Sequence, residues 1–208
     1  MADKTKYKDP HYADDRIVIK KLSVGQHDNN VYVVVDPGTN QSAIVDCADE
    51  ADEILDLARG TQVVAIWETH GDFDHVQALP EVREKLKVPV YMHAADAHSI
   101  AEPPDVLVKD GDLIRVGGLV FKVLHTPGHT PGGVCFYTDG HLIAGDTLFP
   151  GGPGNTKREG GDFPLIIRMI GEKLFTLPDE TRVYPGHGLD TTIGAEKPHL
   201  QEWIDRGW

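Results

Sequence analysis

The feature that most constrains this chain is a heptapeptide in which an apolar run ends in four potential metal ligands. Val63–Trp67 is continuously apolar, which is typical of a buried β-strand. His70, Asp72, Asp74 and His75 follow it, all within six residues of one another. A lone aspartate usually caps a helix or a turn, and Asp74 could cap a helical turn that begins near His75. Four ligand-type side chains directly after a buried strand nevertheless predict a metal site in the loop beyond it.

Three further ligand-type side chains lie in loops rich in glycine and proline. His129 stands in Thr-Pro-Gly-His-Thr-Pro-Gly, Asp146 in Gly-Asp-Thr-Leu-Phe and His187 in Pro-Gly-His-Gly. Imidazole and carboxylate donors together suit zinc, iron or manganese, and the sequence has no paired cysteines of the kind that build structural zinc sites. A catalytic ion needs only about three protein ligands. Seven candidates therefore predict two divalent ions that share a bridging carboxylate.

Composition limits the classes of protein to which the chain can belong. Its 208 residues, 40% hydrophobic and 25% charged, suffice for one domain with a large core. The net charge of −13 argues against binding to nucleic-acid phosphates. We expect no membrane association, because the sequence has neither a secretory signal nor an apolar run of about 18 residues. Cys47 and Cys135 form no CxxC motif, which favours a cytoplasmic protein with buried free thiols. The expected partner is a small-molecule substrate.

Periodicity predicts a loose, polar segment over residues 1–15 and a single domain over residues 16–208. The β-like runs are Arg16–Lys20, Val31–Asp36, Ser42–Asp46, Val63–Glu68, Val88–Met92, Asp105–Lys109, Leu113–Val116, Leu119–His125, Gly133–Tyr137, His141–Ala144 and Arg182–Tyr184. The predicted helices are Ala51–Arg59, Pro80–Leu86, Ala94–Ile100, Phe163–Phe175 and Pro198–Ile204. Strand meanders mixed with helices favour one sheet packed on another, with helices on the outer faces.

Four segments of the chain resemble, in order, the motifs of the metallo-β-lactamase superfamily. They are Thr69–His75, Thr126–Gly132, Gly145–Phe149 and Tyr184–Gly188. The resemblance extends from about Val31 to His187 and implies an α/β (α+β) fold, the four-layer αββα sandwich, with a dinuclear metal site at one sheet edge.

The resemblance also implies how the ligands divide between two ions. The ligands implied for the first ion are His70, Asp72, His129 and Asp146. Those implied for the second are Asp74, His75, His187 and the same Asp146 as a bridge. Asp74 is in addition implied to orient the attacking hydroxide, which makes it the predicted catalytic residue.

Within the superfamily, the segments Gly145–Phe149, Leu177–Asp179 and Val183–Gly188 are most similar to glyoxalase II-like enzymes, the hydroxyacylglutathione hydrolases. The resemblance implies hydrolysis of a small thioester or ester by a metal-bound hydroxide at a dinuclear site. Zinc is the expected metal. β-Lactam hydrolysis is not expected, because the loops resemble the thioesterase branch.

Two departures from the family pattern keep alternatives open. Asp72 stands where the family usually has a second histidine, and a carboxylate ligand shifts metal preference towards iron or manganese. An iron-dependent oxidoreductase such as a persulfide dioxygenase, or a weakly active relative with a depleted first site, are the alternatives. Residues Gly152–Asn155 lack the basic residue that glyoxalase II-like enzymes carry after the bridging aspartate. Lys157 or Arg158 is the predicted substitute for binding substrate.

Overall fold

A computed structural model describes residues 10–207, which form two β-sheets packed between layers of helices. The first sheet contains, in spatial and chain order, β1 (Tyr12–Ala13), β2 (Val18–Val24), β3 (Asn29–Val35), β4 (Gln41–Val45), β5 (Gln62–Trp67), β6 (Val90–His93) and β7 (Val106–Val108). The remaining strands are β8 (Leu113–Val116), β9 (Leu119–His125), β10 (Val134–Thr138), β11 (His141–Gly145), β12 (Leu148–Phe149), β13 (Gly152–Pro153), β14 (Arg182–Pro185) and β15 (Thr191–Thr192). Strands β12 and β13 pair as a small ribbon, and the others form the second sheet in the order β15-β14-β11-β10-β9-β8.

Six α-helices complete the fold of residues 10–207. They are α1 (Ala51–Leu57), α2 (Phe73–Val76), α3 (Leu79–Leu86), α4 (Phe163–Met169), α5 (Ile193–Glu196) and α6 (Leu200–Arg206). Helix α4 continues into a π-helical turn over Ile170–Leu174, and 3₁₀ turns span Ala97–Ser99 and Lys197–His199.

Three apolar layers show that the order of packing is helix, sheet, sheet, helix. Strand β3 is buried throughout, and its side chains alternate between two of these layers. Val33 packs with α1 and α3 on the outer face, whereas Val34 faces the second sheet. Trp67 and Phe121, whose ring centroids are 5.1 Å apart, lie in the layer between the sheets. The third layer packs the second sheet against α4 and α6, which confirms the predicted four-layer αββα sandwich.

The direction of the strands brings several loops to one edge of the sandwich. Strands β4, β5, β6 and β7 are parallel to one another, and in the second sheet β11 is parallel to β14. The carboxyl ends of parallel strands meet at the same sheet edge, so the loops after β11 and β14 are neighbours. A hydrogen bond from Gly186 N to Gly145 O, 2.8 Å long, joins these two loops directly.

The predicted loose segment at residues 1–15 is wrong for part of its length. Residues 1–9 lie outside the described part of the chain, but Tyr12 and Ala13 pair with Ile19 and Val18 as an edge strand. The reason is tertiary, because the Tyr12 ring packs on His141 of the second sheet at 4.5 Å. The polar composition of the N-terminal segment gives no indication of this contact.

Other elements match the prediction with shifted boundaries. The strand predicted at Arg16–Lys20 is β2, which extends further, to Val24. The helix predicted at Ala94–Ile100 is reduced to the 3₁₀ turn, and Pro198 lies in a 3₁₀ turn that precedes α6. Cys47 and Cys135 are fully buried free thiols, as predicted. Within residues 10–207, the helices are all too short or too polar to cross a bilayer.

Candidate metal centre

The predicted ligands occupy four loops at this common edge, each fixed by the strand before it. The loop after β5 carries His70 and Asp72, and the short helix α2 carries Asp74 and His75. The loop between β9 and β10 carries His129, and the loops after β11 and β14 carry Asp146 and His187. All seven predicted ligands are therefore brought to one place by the tertiary structure.

The first group of ligands surrounds the Asp72 carboxylate. Its Oδ2 lies 3.0 Å from His129 Nε2 and 3.6 Å from His70 Nε2. One ligand atom from each of these residues lies within 4.8 Å of the others, a spacing suited to a single ion. His70 and His129 are buried, and the Asp72 side chain is 11% exposed. Asp72 thus points into the cluster rather than away from it.

The second group of ligands comes from Asp74, His75 and His187. His75 Nε2 lies 3.1 Å from His187 Nε2 and 3.9 Å from Asp74 Oδ2. His187 Nε2 lies 3.7 Å from the same oxygen of Asp74. These three ligand atoms also fall within 4.8 Å of one another. Asp74 and His187 are partly exposed, so this group faces the solvent side of the site.

Asp146 lies between the two groups. Its Oδ2 is 3.5 Å from His129 Nε2 and 3.4 Å from His187 Nε2, and its Oδ1 is 3.5 Å from His75 Nε2. The carboxylate therefore faces ligands of both groups at once, as a bridging ligand must.

Hydrogen bonds fix the tautomers of the four imidazoles. His75 Nδ1 lies 3.0 Å from the Asp46 carboxylate, and carbonyl oxygens accept from Nδ1 of His129 and His187 at 2.7 and 2.8 Å. Carboxylates and carbonyls only accept, so each of these Nδ1 atoms carries the proton. Thr69 Oγ1 donates to Asp46 and consequently accepts from His70 Nδ1 at 2.9 Å. In the neutral imidazoles, all four Nε2 lone pairs point into the site.

The converging groups perturb one another's protonation. Burial lowers the pKa of His70 to about 3, and the neighbouring His75 adds to the effect. Burial also opposes the charge of His75, but the Asp146 and Asp46 carboxylates outweigh it and raise its pKa to about 9. The pKa of Asp146 lies well below its ordinary value, because nearby histidines outweigh its burial. In the metal-free protein, protons and ion pairs compensate charges that a metal ion would otherwise balance.

Two residues that the sequence analysis did not identify support these ligands. Asp46, which directly follows β4, accepts hydrogen bonds from Thr69 N at 2.7 Å and Thr69 Oγ1 at 2.8 Å besides its contact with His75. Asn29, at the start of β3, donates to Asp74 Oδ2 at 2.9 Å. Asp46 shares with the ligands the pattern of an acidic residue just after an apolar strand, which is the signal that could have found it.

Asp96 is a third missed residue and joins two of the ligand loops. Its side chain is buried and accepts hydrogen bonds from Gly71 N at 3.0 Å, Thr130 Oγ1 at 2.7 Å and Gly132 N at 2.7 Å. Gly71 lies between the ligands His70 and Asp72, and Thr130 follows His129. One carboxylate thus holds the two loops of the first group together.

A glycine provides space for the bridging carboxylate. A Cβ at Gly186 would lie 2.1 Å from Asp146 Oδ1 and 2.8 Å from His75 Cε1. Both distances are far below van der Waals contact, so a side chain at this position would displace two ligands. The Pro-Gly-His sequence at residues 185–187 therefore has a packing requirement as well as a ligand.

The two predicted substrate residues differ in their surroundings. Arg158 forms a forked ion pair with Asp72, in which Nη1 donates to Oδ2 and Nη2 donates to Oδ1 at 2.5 Å. Lys157 is exposed, and its backbone amide donates to Asn155 Oδ1 at 2.9 Å. Arg158 therefore contacts the first ligand group directly, whereas no contact within residues 10–207 joins the exposed Lys157 side chain to it.

Residues 24–187 match the family model described as the metallo-beta-lactamase superfamily. The chain belongs to the metallo-β-lactamase superfamily. A "Probable metallo-hydrolase YqgX" of Bacillus subtilis is 35% identical over 199 residues, covering 86% of this chain and 93% of the relative. A "Hydroxyacylglutathione hydrolase" of Thermosynechococcus vestitus is 36% identical over 186 residues, covering 84% of this chain and 72% of the relative. The predicted family is confirmed, and these two relatives are named as hydrolases.

Solved structures of the metallo-β-lactamase superfamily superpose on most of the chain. The BLEG-1 B3 metallo-beta-lactamase matches with a TM-score of 0.82 and 32% identity, covering 88% of this chain and 97% of that one. ETHE1 from Myxococcus xanthus matches with a TM-score of 0.80 and 31% identity, covering 88% and 82%. TTHA1623 in a di-iron-bound form matches with a TM-score of 0.75 and 34% identity, covering 85% and 96%. The fold of this chain is therefore shared with solved proteins that carry different names.

The side chains of this superfamily member fit divalent metal ions. His70 Nε2 and Asp146 Oδ1 are buried polar atoms with no hydrogen-bond partner among residues 10–207. His75 Nε2 and His187 Nε2 face each other at 3.1 Å, a contact that the proton on His75 bridges in the metal-free protein and that a metal ion would replace. Buried polar atoms normally have partners, and a cation between the lone pairs would supply one.

Proposed function

We propose that the chain is a two-metal hydrolase that acts on a small thioester or ester, with zinc as its metal. The observation that carries the proposal is the convergence of three histidine Nε2 atoms, from both groups, on the Asp146 carboxylate. His70, Asp72, His129 and Asp146 would hold one ion, and Asp74, His75, His187 and Asp146 the other. When bound, two such ions supply an activated water and polarise the substrate carbonyl.

Asp74 is the proposed catalytic residue because it combines ionisation with access to solvent. Burial opposes its charge, but the hydrogen bond from Asn29 and the proximity of His75 outweigh that effect and lower the pKa of Asp74. Its side chain is 33% exposed. With Oδ2 held by Asn29, Oδ1 is the atom at which Asp74 can accept a proton from the attacking water. A thiolate leaves readily, so hydrolysis of a thioester needs no further acid.

The rim of the site supports a substrate with an apolar part and an anionic part. Phe73 is 74% exposed and Leu189 is 80% exposed, and each lies within two residues of a ligand. Exposed large apolar side chains beside a polar site are a common feature of ligand pockets. Lys157 and Arg158 are the proposed contacts for a carboxylate of the substrate. The relative named hydroxyacylglutathione hydrolase supports the thioester class.

One geometric feature favours a second candidate, an iron-dependent oxidoreductase such as a persulfide dioxygenase. His70, His129 and Asp72 together form a set of two histidines and one carboxylate within 4.8 Å. That ligand set is typical of non-haem iron(II) oxygenases. The similarity to ETHE1 from Myxococcus xanthus and to a di-iron protein keeps iron in consideration.

Metal content and activity, measured on the same preparation, separate the two candidates. The metal content of protein purified without added metal is measured by inductively coupled plasma mass spectrometry. The same protein is then assayed for thioester hydrolysis, with a reagent that detects the released thiol, and for β-lactam hydrolysis with nitrocefin. Zinc at two ions per chain with thioester turnover supports the proposal. Iron with oxygen uptake on a persulfide, and no thioester turnover, would replace it with the oxidoreductase.

A matched pair of variants tests the role of Asp74. Asp74→Asn is expected to reduce kcat for the thioester by about 10²–10⁴-fold, the usual contribution of a proton acceptor. Asp179→Asn changes an aspartate whose side chain is 68% exposed and lies outside the site, and should retain full activity. Equal activity of the two variants would show that Asp74 is not the catalytic residue.

A further inference from the structure

Arg158 contacts the same carboxylate oxygen that faces the ligands of the first group. Its Nη1 donates to Asp72 Oδ2, the oxygen that lies 3.0 Å from His129 Nε2 and 3.6 Å from His70 Nε2. Nη1 itself lies 3.5 Å from His129 Nε2. The second arm, Nη2 to Oδ1 at 2.5 Å, completes a two-point fork. A cation is therefore already present where Asp72 meets the two histidines.

The loop that carries Arg158 is held close to the site by its own bonds. Asn155 O accepts from His129 Nδ1 at 2.7 Å, and Asp162 N donates to Gly128 O at 2.7 Å. The loop that carries Arg158 is therefore anchored to the His129 loop both before and after the arginine. The Arg158 side chain is 37% exposed, which leaves it a path outward into the cleft lined by Phe73 and Pro131.

We propose that Arg158 competes with a divalent ion for the Asp72 carboxylate, so that the first site binds metal more weakly than the second. Two cations on one carboxylate oxygen repel each other, and the repulsion is strong in a partly buried site. Within residues 10–207, the contacts of Asp74, His75 and His187 are with neutral groups, carboxylates and each other, and none is with a lysine or an arginine. The inference rests on the proposed two-metal site.

The effect of the arginine on each ion is measured directly by metal binding. The dissociation constants for two zinc ions are determined by competition with a chromogenic chelator in the full-length protein, Arg158→Met and Arg158→Lys. Methionine keeps much of the apolar stem without the charge, and lysine keeps the charge without the fork. Arg158→Met should lower the dissociation constant of the more weakly bound ion by about tenfold or more and leave that of the tightly bound ion unchanged. Arg158→Lys should lower the dissociation constant of the more weakly bound ion by less.

A double-mutant cycle tests whether the arginine acts through Asp72. In the Asp72→His background the fork has no acceptor, so adding Arg158→Met should change the weaker dissociation constant by less than about twofold. A tightening as large as that in the Asp72 background would show that Arg158 acts through its general charge and would overturn the proposal. The proposal would also be overturned if the more weakly bound ion were bound no more tightly in Arg158→Met than in the unaltered protein. Urea unfolding of each variant confirms that it is folded.

The metal-binding measurements separate this inference from the proposed function. Two equally tight zinc ions in the unaltered protein, together with thioester turnover, would reject the competition and retain the hydrolase. Tighter binding of the weaker ion in Arg158→Met, with no turnover of any thioester or ester, would support the competition and reject the hydrolase.

Discussion

Replacing Asp96 tests whether a single buried carboxylate holds the first ligand group together. Asp96→Ala removes hydrogen bonds to Gly71 N, Thr130 Oγ1 and Gly132 N, at 3.0, 2.7 and 2.7 Å. A hydrogen bond to a charged group contributes about 1.5–3 kcal/mol, and a buried donor left unpaired costs about 1–3 kcal/mol. The three losses are not additive, because the donors share one acceptor group. We therefore expect the free energy of unfolding to fall by about 3–5 kcal/mol, near the upper end for one substitution.

Urea unfolding and thermal unfolding, both with a chelator present, measure this loss without a contribution from bound metal. For a chain of this length a loss of 1 kcal/mol lowers Tm by about 2–4 °C, so Asp96→Ala should lower it by about 6–20 °C. Asp96→Asn keeps one acceptor oxygen and should cost about 1–3 kcal/mol. Zinc affinity should also fall about 10-fold or more in Asp96→Ala, since the carboxylate positions two ligand loops.

Asp105 provides the matched control. It also accepts two hydrogen bonds, from Val90 N at 2.8 Å and Arg83 Nη2 at 3.1 Å, but its side chain is 45% exposed. Water can replace the lost acceptor there, so Asp105→Ala should cost about 1 kcal/mol or less and leave zinc affinity unchanged. If Asp96→Ala destabilised the protein no more than Asp105→Ala, the reasoning about the buried acceptor would be refuted.

Three further predictions concern the glycine, the support of a ligand and pH. Gly186→Ala places a Cβ 2.1 Å from an oxygen of the Asp146 carboxylate, so mass spectrometry should show the loss of at least one ion per chain. The control Gly171→Ala has a nearest contact of 3.4 Å and should bind both ions. Asp46→Asn removes the carboxylate acceptor of His75 Nδ1–H and should weaken zinc binding by about 10–100-fold in chelator competition; an unchanged dissociation constant would contradict that role. In the metal-free protein the pKa of His75 is raised from 6.5 to about 9, so its stabilisation is present below pH 6.5 and is lost as pH rises through 9. The pKa of His70 is lowered from 6.5 to about 3, so its stabilisation is present above pH 6.5 and is lost as pH falls towards 3. Urea unfolding across this range should show greatest stability near neutrality, and a steady rise or fall with pH would argue against both shifts.

Local patterns in the sequence predicted the strands and the ligand candidates and favoured sheet packed on sheet, whereas the four-layer αββα order was implied by the resemblance to the metallo-β-lactamase superfamily. The continuous apolar run Val31–Val35 is a local property, and so is the position of His70 or Asp146 shortly after an apolar run. A strand ends at the edge of its sheet. The order of the strands and the type of residue after each one therefore predicted that these loops lie close together. Strand β1 was missed, and helix α2 was considered only as a helical turn near His75, because two and four residues are too short to establish a period.

The tertiary structure alone decided which groups support the ligands and which cation opposes a metal ion. Asp96 is separated by 36 residues from Gly132, and Arg158 by 86 residues from Asp72. No periodicity relates such positions, since their contact depends on how two sheets and four loops pack. The same holds for the imidazole tautomers, because the acceptor of each Nδ1 proton comes from tertiary packing, through Asp46 or a loop carbonyl. The sequence thus determined the ligand types and their edge of the sandwich, and packing determined their protonation, their support and the competition at Asp72.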